Sequence, residues 1–288
     1  MRRALALATV LALAALPAAA QFKDPPSWTR PTQPFRIIGN VWYVGTEGLP
    51  SYLIRTPKGA ILLDVMTENA EAVEASIKAL GVPLSDVKVL INSHAHFDHA
   101  GGLAKLKADT GAYLAAGARD KPILEAGAYP GWEERHDLDF PKVKVDHPIK
   151  DGETVELGGT VITAHAEPGH TPGCTAWTLP VVEDGKTHTV FFDCSTSVAL
   201  NRLVVRPQYP GIVADYRKTF AWLKTVKADV FLAPHAEIFD LAGKRARIKA
   251  GAPNPFVVPG ELRAYAAKQA QAFEAALAKQ QAEAGAKS

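Results

Sequence analysis

Three imidazoles and one carboxylate fall within six residues in His94-Ala-His96-Phe-Asp98-His99. Imidazole nitrogen and carboxylate oxygen are ligands that zinc accepts, and ligands this closely spaced at the end of a strand can serve two adjacent ions. A polar loop whose histidines only bond backbone groups is the plain alternative, and few structural needs explain such a density. The motif therefore reads first as a metal site.

Two further histidines have settings that suit loop ligands. His170 lies in Pro168-Gly-His-Thr-Pro-Gly173 and His235 in Ala233-Pro-His-Ala236, each just after a strand-like segment. Alone, either would read as a surface or capping residue; beside the first motif they supply the ligands it lacks. Two ions that each keep a position open for water need about six protein ligands, and His94, His96, Asp98, His99, His170 and His235 make that set. Residues at i and i+2 on an extended segment face the same way, so His94 and His96 can share one ion while Asp98 and His99 reach another. His136, His147, His165 and His188 lack such settings and are expected to be structural or solvent-exposed.

The elements that must position these residues are legible from periodicity. Phe35 to Ile38, Asn40 to Val44, Ser51 to Thr56 and Ala60 to Asp64 read as short strands separated by Gly and Pro turns. Glu68 to Leu80 has helical spacing, and Val87 to Asn92 is an apolar, β-branched strand that delivers the motif. A helix over Leu103 to Thr110 and a strand over Ala112 to Ala115 follow, and 117 to 141 reads as a helix plus an irregular loop. The second half repeats the plan: strands Thr154 to Leu157, Thr160 to Ala166, Thr175 to Leu179 and Thr189 to Asp193, a helix over Tyr209 to Val226, and a strand Val230 to Ala233 ending at Pro234-His235. A long helix, Glu261 to Ala284, closes the chain. This echo predicts an α/β protein of two stacked αβ halves around one site, which sits where loops converge on rigid strand ends.

Composition adds context. With 288 residues, 47% hydrophobic and 22% charged, the chain can bury a full core. The net charge of +2, from 32 basic and 30 acidic residues spread throughout, suggests no polyanion partner and favours a small-molecule substrate. Arg2 and Arg3, the uncharged Ala4 to Leu16 and the small residues Ala18-Ala19-Ala20 have the layout of a secretory signal peptide. The apolar stretch is too short for a bilayer core that needs about 20 residues. Residues 1–20 are thus expected to be cleaved, leaving 21–288 as a single exported, periplasmic domain, with nothing that demands more than a monomer.

The motif and its distant histidines resemble the metallo-β-lactamase superfamily, whose fold is a four-layer αβ/βα sandwich. Longer segments resemble the third subclass of class B metallo-β-lactamases: Pro34 to Gly48, Asn92-Ser-His-Ala-His-Phe-Asp-His-Ala-Gly-Gly102, Gly169-His-Thr-Pro-Gly-Cys-Thr-Ala-Trp177 and Gly251-Ala-Pro-Asn-Pro255. The resemblance implies two Zn2+, one on His94, His96 and His170 and one on Asp98, His99 and His235. It implies hydrolysis of the β-lactam ring by zinc-bound hydroxide, with Asp98 orienting the nucleophile, and hence resistance to penicillins, cephalosporins and carbapenems. It also implies that Ser195 and Ser197 bind the substrate carboxylate. Two departures leave every ligand in place: Ala236 follows His235 where proline is common, and Asp64-Val replaces a frequent Asp-Gly.

Aligning Asp193-Cys-Ser-Thr-Ser197 one residue differently would put Cys194 or Asp193 beside the metal. If Ser195 faces the site, strand alternation turns Cys194 away, where it can meet Cys174, the only other cysteine. Such a disulfide closes a loop of about 20 residues, worth roughly 3 kcal/mol in the chain-entropy model. If instead Asp193 bridges two ions, the chain resembles a glyoxalase-II-like thioesterase or a lactonase. A non-catalytic zinc-binding protein is the third reading; against it, Trp28, Phe35, Tyr129 and Trp132 look like pocket walls, though aromatics serve equally in a core or rim.

Overall fold

The first half of the chain alternates short apolar runs with tight turns, and the geometry of those connections decides strand direction. A computed structural model describes residues 23–249 and 251–286; the expected signal peptide at 1–20 lies outside the described residues. Strands β1 (Phe35–Ile38), β2 (Val41–Tyr43), β3 (Tyr52–Thr56) and β4 (Gly59–Leu63) form an antiparallel meander. Longer crossovers then make β5 (Val87–Ile91), β6 (Tyr113–Gly117) and β7 (His147–Ile149) parallel, giving one seven-stranded sheet in sequential order. The crossovers carry α1 (Ala70–Ala79), the single turn α2 (Phe97–Ala100), α3 (Leu103–Thr110) and α4 (Lys121–Ala126).

The second sheet has five strands, β8 (Thr154–Leu157), β9 (Thr160–Ala166), β10 (Thr175–Glu183), β11 (Lys186–Phe192) and β12 (Val230–Leu232), in the order β12-β11-β10-β9-β8. Only β12 is parallel to its neighbour, because α5 (Ile212–Leu223) carries the chain back before it. A short α6 (Leu241–Ala246) and the long α7 (Glu261–Gly285) follow.

Side-chain alternation builds four layers from these pieces. Ile61 and Leu63 of β4, with Val89 and Ile91 of β5, enter the core between the sheets, while Leu62 and Leu90 face the other way onto α1 and α3. Burial on both faces explains why these strands read as unbroken apolar runs. On the far side, Tyr216 and Phe220 of α5 pack on Phe273 of α7 at ring distances of 4.8 and 5.7 Å, covering the second sheet. The result is the expected αβ/βα sandwich. Phe35 belongs to this core, stacked on Tyr43 at 5.2 Å and beside Phe256, and is not a wall of the site.

Differences from the sequence reading are local. The turn Thr67–Asn69 is a 3-10 helix, so α1 begins at Ala70. β7, which the sequence reading left out, contains Pro148, and as an edge strand it tolerates a residue without an N–H. β10 and β11 extend further into their hairpin than their apolar cores suggested. Among the described residues, no helix is long and apolar enough to cross a membrane.

Candidate metal centre

Three chain segments leave the ends of both sheets at one edge of the sandwich and bring the six candidate ligands together. His94 follows β5 through Asn92-Ser93, and His96 is extended just before α2. Asp98 and His99 sit on the helical turn α2, further along the chain than the extended His94 and His96. His170 lies between β9 and β10, and His235 follows β12.

The histidines fall into two groups. The rings of His94, His96 and His170 lie 4.9, 4.6 and 4.5 Å apart, and one ligand atom from each falls within 4.8 Å of the others. In the second group His99 Nε2 stands 3.3 Å from Asp98 Oδ2 and 3.4 Å from His235 Nε2, with His235 Nε2 3.6 Å from that same oxygen. Two ligand atoms each about 2.0–2.1 Å from a tetrahedral zinc are separated by about 3.3–3.4 Å, so this triangle has the dimensions of a metal site. His94 and His99 rings, 4.4 Å apart, put the two groups side by side.

Hydrogen bonds fix which nitrogen is free in the rings of His94 and His170. Ser93 Oγ donates its one proton to Asp64 Oδ2, so toward His94 Nδ1, 3.0 Å away, it accepts. His170 Nδ1 likewise donates to the Ser197 carbonyl at 2.8 Å. Both rings are left with a bare Nε2. His99 Nδ1 faces Asp64 Oδ2 at 3.4 Å, which turns its Nε2 toward Asp98 and His235. His96 Nε2 and His235 Nδ1 are buried without a hydrogen-bond partner among the described residues. Asp64 organises much of this: its carboxylate also accepts from Ser93 N at 2.7 Å and Asn92 Nδ2 at 2.9 Å, and its left-handed backbone (φ 55°) turns the chain after β4.

The electrostatics suit cation binding. Burial, reinforced by neighbouring rings, pushes His94 and His96 well below the usual histidine range, and burial carries His170 and His235 down to about 4. These are neutral imidazoles, the form that ligates. For His99, burial disfavours the charge, but Asp98 and Asp64 outweigh it and raise the group to about 10. Burial also opposes charge on Asp98, yet His99 and His235 hold its carboxyl below the usual range. A metal ion supplies the same compensation to Asp98 that the His99 proton gives without one.

Aromatic side chains wall the group. Trp132 stacks on His96 at 4.9 Å, Tyr129 meets the same ring edge-on at 4.6 Å and hydrogen-bonds the His170 carbonyl, and Trp28 lies 5.1 Å from His235. Ser197 Oγ is 3.3 Å from both His170 Nδ1 and Ser195 Oγ, so the two serines are contiguous with the metal group. Cys174 and Cys194 form a disulfide. Their sulfurs lie near His94, but joined to each other they offer no thiolate.

Asp193 goes elsewhere. β11 ends at Phe192, so strict alternation does not extend to 193–197, and the Asp193 carboxyl meets Glu167 and Tyr265. Glu167 Oε2 accepts from Cys194 N at 3.0 Å, whereas Glu167 Oε1 and both Asp193 oxygens are buried with no N–H donating to them. Burial pushes both carboxyls up, Glu167 well above its ordinary range, and a proton on Glu167 is the donor the pair requires. Sequence reasoning missed Glu167, which reads simply as a polar residue at a strand end.

Two αβ layers with a histidine–aspartate cluster at the shared sheet edge define the metallo-beta-lactamase superfamily, and that family's model matches residues 45–183. The chain is 50% identical to a subclass B3 metallo-beta-lactamase of Bradyrhizobium japonicum, covering 90% of this chain and 98% of that one with a TM-score of 0.88. The native metallo-beta-lactamase of Legionella gormanii is 41% identical, with 88% and 98% coverage and a TM-score of 0.84. The chain belongs to this superfamily, and within it to subclass B3. Among curated relatives it is 32% identical over 129 residues to a hydroxyacylglutathione hydrolase of Hyphomonas neptunium, a match spanning 45% of this chain and 42% of that protein.

Proposed function

We propose that this protein is a dizinc β-lactamase, exported to the periplasm after loss of residues 1–20, that opens the β-lactam ring as a monomer of one domain and confers antibiotic resistance. His94, His96 and His170 would hold one ion and Asp98, His99 and His235 the other. The triangle of Asp98 Oδ2, His99 Nε2 and His235 Nε2, with sides of 3.3, 3.4 and 3.6 Å, carries the reading. Bound zinc supplies a Lewis acid and a water of lowered pKa.

The chain's own groups do the rest. Asp98, which would help hold one ion, would also orient the attacking water through its carboxylate. Hydroxyls of Ser195 and Ser197 bind the substrate carboxylate and set the ring over the site, and Trp28, Tyr129 and Trp132 exclude bulk water from it. Water adds to the ring carbonyl carbon, the C–N bond breaks, and the nitrogen takes the proton.

Asp193, engaged with Glu167, is not available as a bridging carboxylate, which weighs against the thioesterase or lactonase reading. The test is turnover of nitrocefin and a carbapenem by the mature protein, with and without chelator, beside a thioester and a lactone. Chelator-sensitive ring opening is expected; thioester turnover with no β-lactam turnover would overturn the assignment.

A further inference from the structure

Asp120 stands just before α4, where an aspartate ordinarily caps a helix, yet its side chain makes no bond to that helix. It turns instead into the loops that carry the three-histidine group. Asp120 Oδ2 accepts from the backbone N–H of Ala95, between His94 and His96, at 3.0 Å, and from Thr171 Oγ1, beside His170, at 2.6 Å. Its Oδ1 accepts from Gly173 N at 2.6 Å. One carboxylate thus ties the segment bearing two of the ligands to the turn bearing the third.

The fit is close and local. A Cβ on Gly173 would come within 2.2 Å of Asp120 N and 2.7 Å of its Cβ, and one on Gly117 would strike the Gly173 carbonyl at 1.9 Å. Only glycine lets the turn approach this near. Asp120 is 1% exposed and all three of its partners donate, which is the pattern of an ionised carboxylate. Burial nonetheless pushes the group up to about 6, so a charge is kept here against its desolvation cost.

We infer that Asp120 is a positioning residue for the three-histidine metal site: by bonding Ala95, Thr171 and Gly173 at once it fixes the spacing of His94 and His96 relative to His170. The inference rests on reading those histidines as metal ligands. An ion held by three rings needs each nitrogen placed to a few tenths of an ångström, and groups that orient ligands from behind change affinity when removed by roughly 10–100-fold. Asp120→Asn keeps the shape but presents an NH2 group to one of the three donors, so one tie is lost and one donor faces another. Thr171→Val removes a single tie and leaves the carboxylate; Thr171→Ser retains it.

Stepwise zinc affinities of the metal-depleted protein, measured against a chromophoric chelator, test this without reference to turnover, alongside melting of the metal-free forms. Asp120→Asn is expected to weaken one of the two zinc affinities by roughly 10–100-fold, with Thr171→Val intermediate and Thr171→Ser like the wild type. A lower melting temperature with both affinities unchanged would show Asp120 to be a loop staple only, and would overturn the inference. If Asp120→Asn does not fold, the Thr171 pair decides: equal affinities for Val and Ser refute it. A wild type that takes up no zinc defeats the metal-site reading itself and the inference with it, whereas wild-type uptake with unaltered variants defeats the inference alone.

Discussion

Replacing Glu167 by Gln should flatten the pH dependence of stability. In the folded protein Glu167 Oε2 takes the Cys194 N–H, and its other oxygen faces Asp193 in a buried space where only a carboxyl proton can join the two. Both groups are raised relative to the unfolded chain. The sign follows: a raised folded pKa gives stability that is complete below the unfolded value, about 4.3 for Glu, and that is lost as pH climbs toward the folded value. While the folded pair holds one proton more than the unfolded chain, stability falls by about 1.4 kcal/mol per pH unit, or roughly 3 kcal/mol between about pH 5 and pH 7. The oxygen of the introduced amide can still accept from Cys194 while its NH2 donates to Asp193, so the proton that Glu167 holds is removed and only Asp193 still titrates. Urea denaturation of zinc-saturated wild type and E167Q over that range should therefore give curves that diverge by roughly 3 kcal/mol, the wild type losing more toward neutral pH. Other groups titrate alike in both proteins and cancel. Parallel curves would refute the shared proton.

Three further outcomes follow from the site. Ser195→Ala should raise the KM for a carboxylate-bearing β-lactam by roughly tenfold or more, the worth of a hydrogen bond to a charged group, with kcat little changed; a fall in kcat at constant KM would take Ser195 out of substrate binding. Converting Cys174 and Cys194 together to Ala should cost about 3 kcal/mol and lower the melting temperature by roughly 6–12 °C, and thiol titration of the unreduced, denatured wild type should find no free cysteine. Dialysis against chelator should abolish ring opening and two equivalents of zinc restore it; activity that survives metal removal would exclude the proposed mechanism.

The candidate metal ligands were legible because their chemistry is written in residue type and spacing. His94, His96, Asp98 and His99 are too dense to be incidental, and His170 and His235 follow segments that read as strands. The paired halves were legible because each half repeats the plan of strands, a helix and a strand that ends at a candidate ligand, and runs such as Ile61-Leu62-Leu63 and Val89-Leu90-Ile91 are apolar on both faces because both faces are covered. The disulfide required more, since alternation through 193–197 fails once β11 ends at Phe192; Cys174 and Cys194 meet although the premise that paired them does not hold.

Sequence alone thus determined which residue types could bind metal, and that two similar αβ halves would deliver them from strand ends. Tertiary structure decided what stands behind them. Asp120 reads as a helix cap, Asp64 as a turn residue and Glu167 as a polar strand end, and each acts on partners far away in the chain. Asp120 reaches Thr171, Asp64 reaches Ser93, and Glu167 reaches Cys194. Ligand chemistry is a property of a side chain and survives in a one-dimensional reading. The placing of a ligand is a property of hydrogen bonds between loops that only sheet packing brings within about 3 Å, and no spacing along the chain records it.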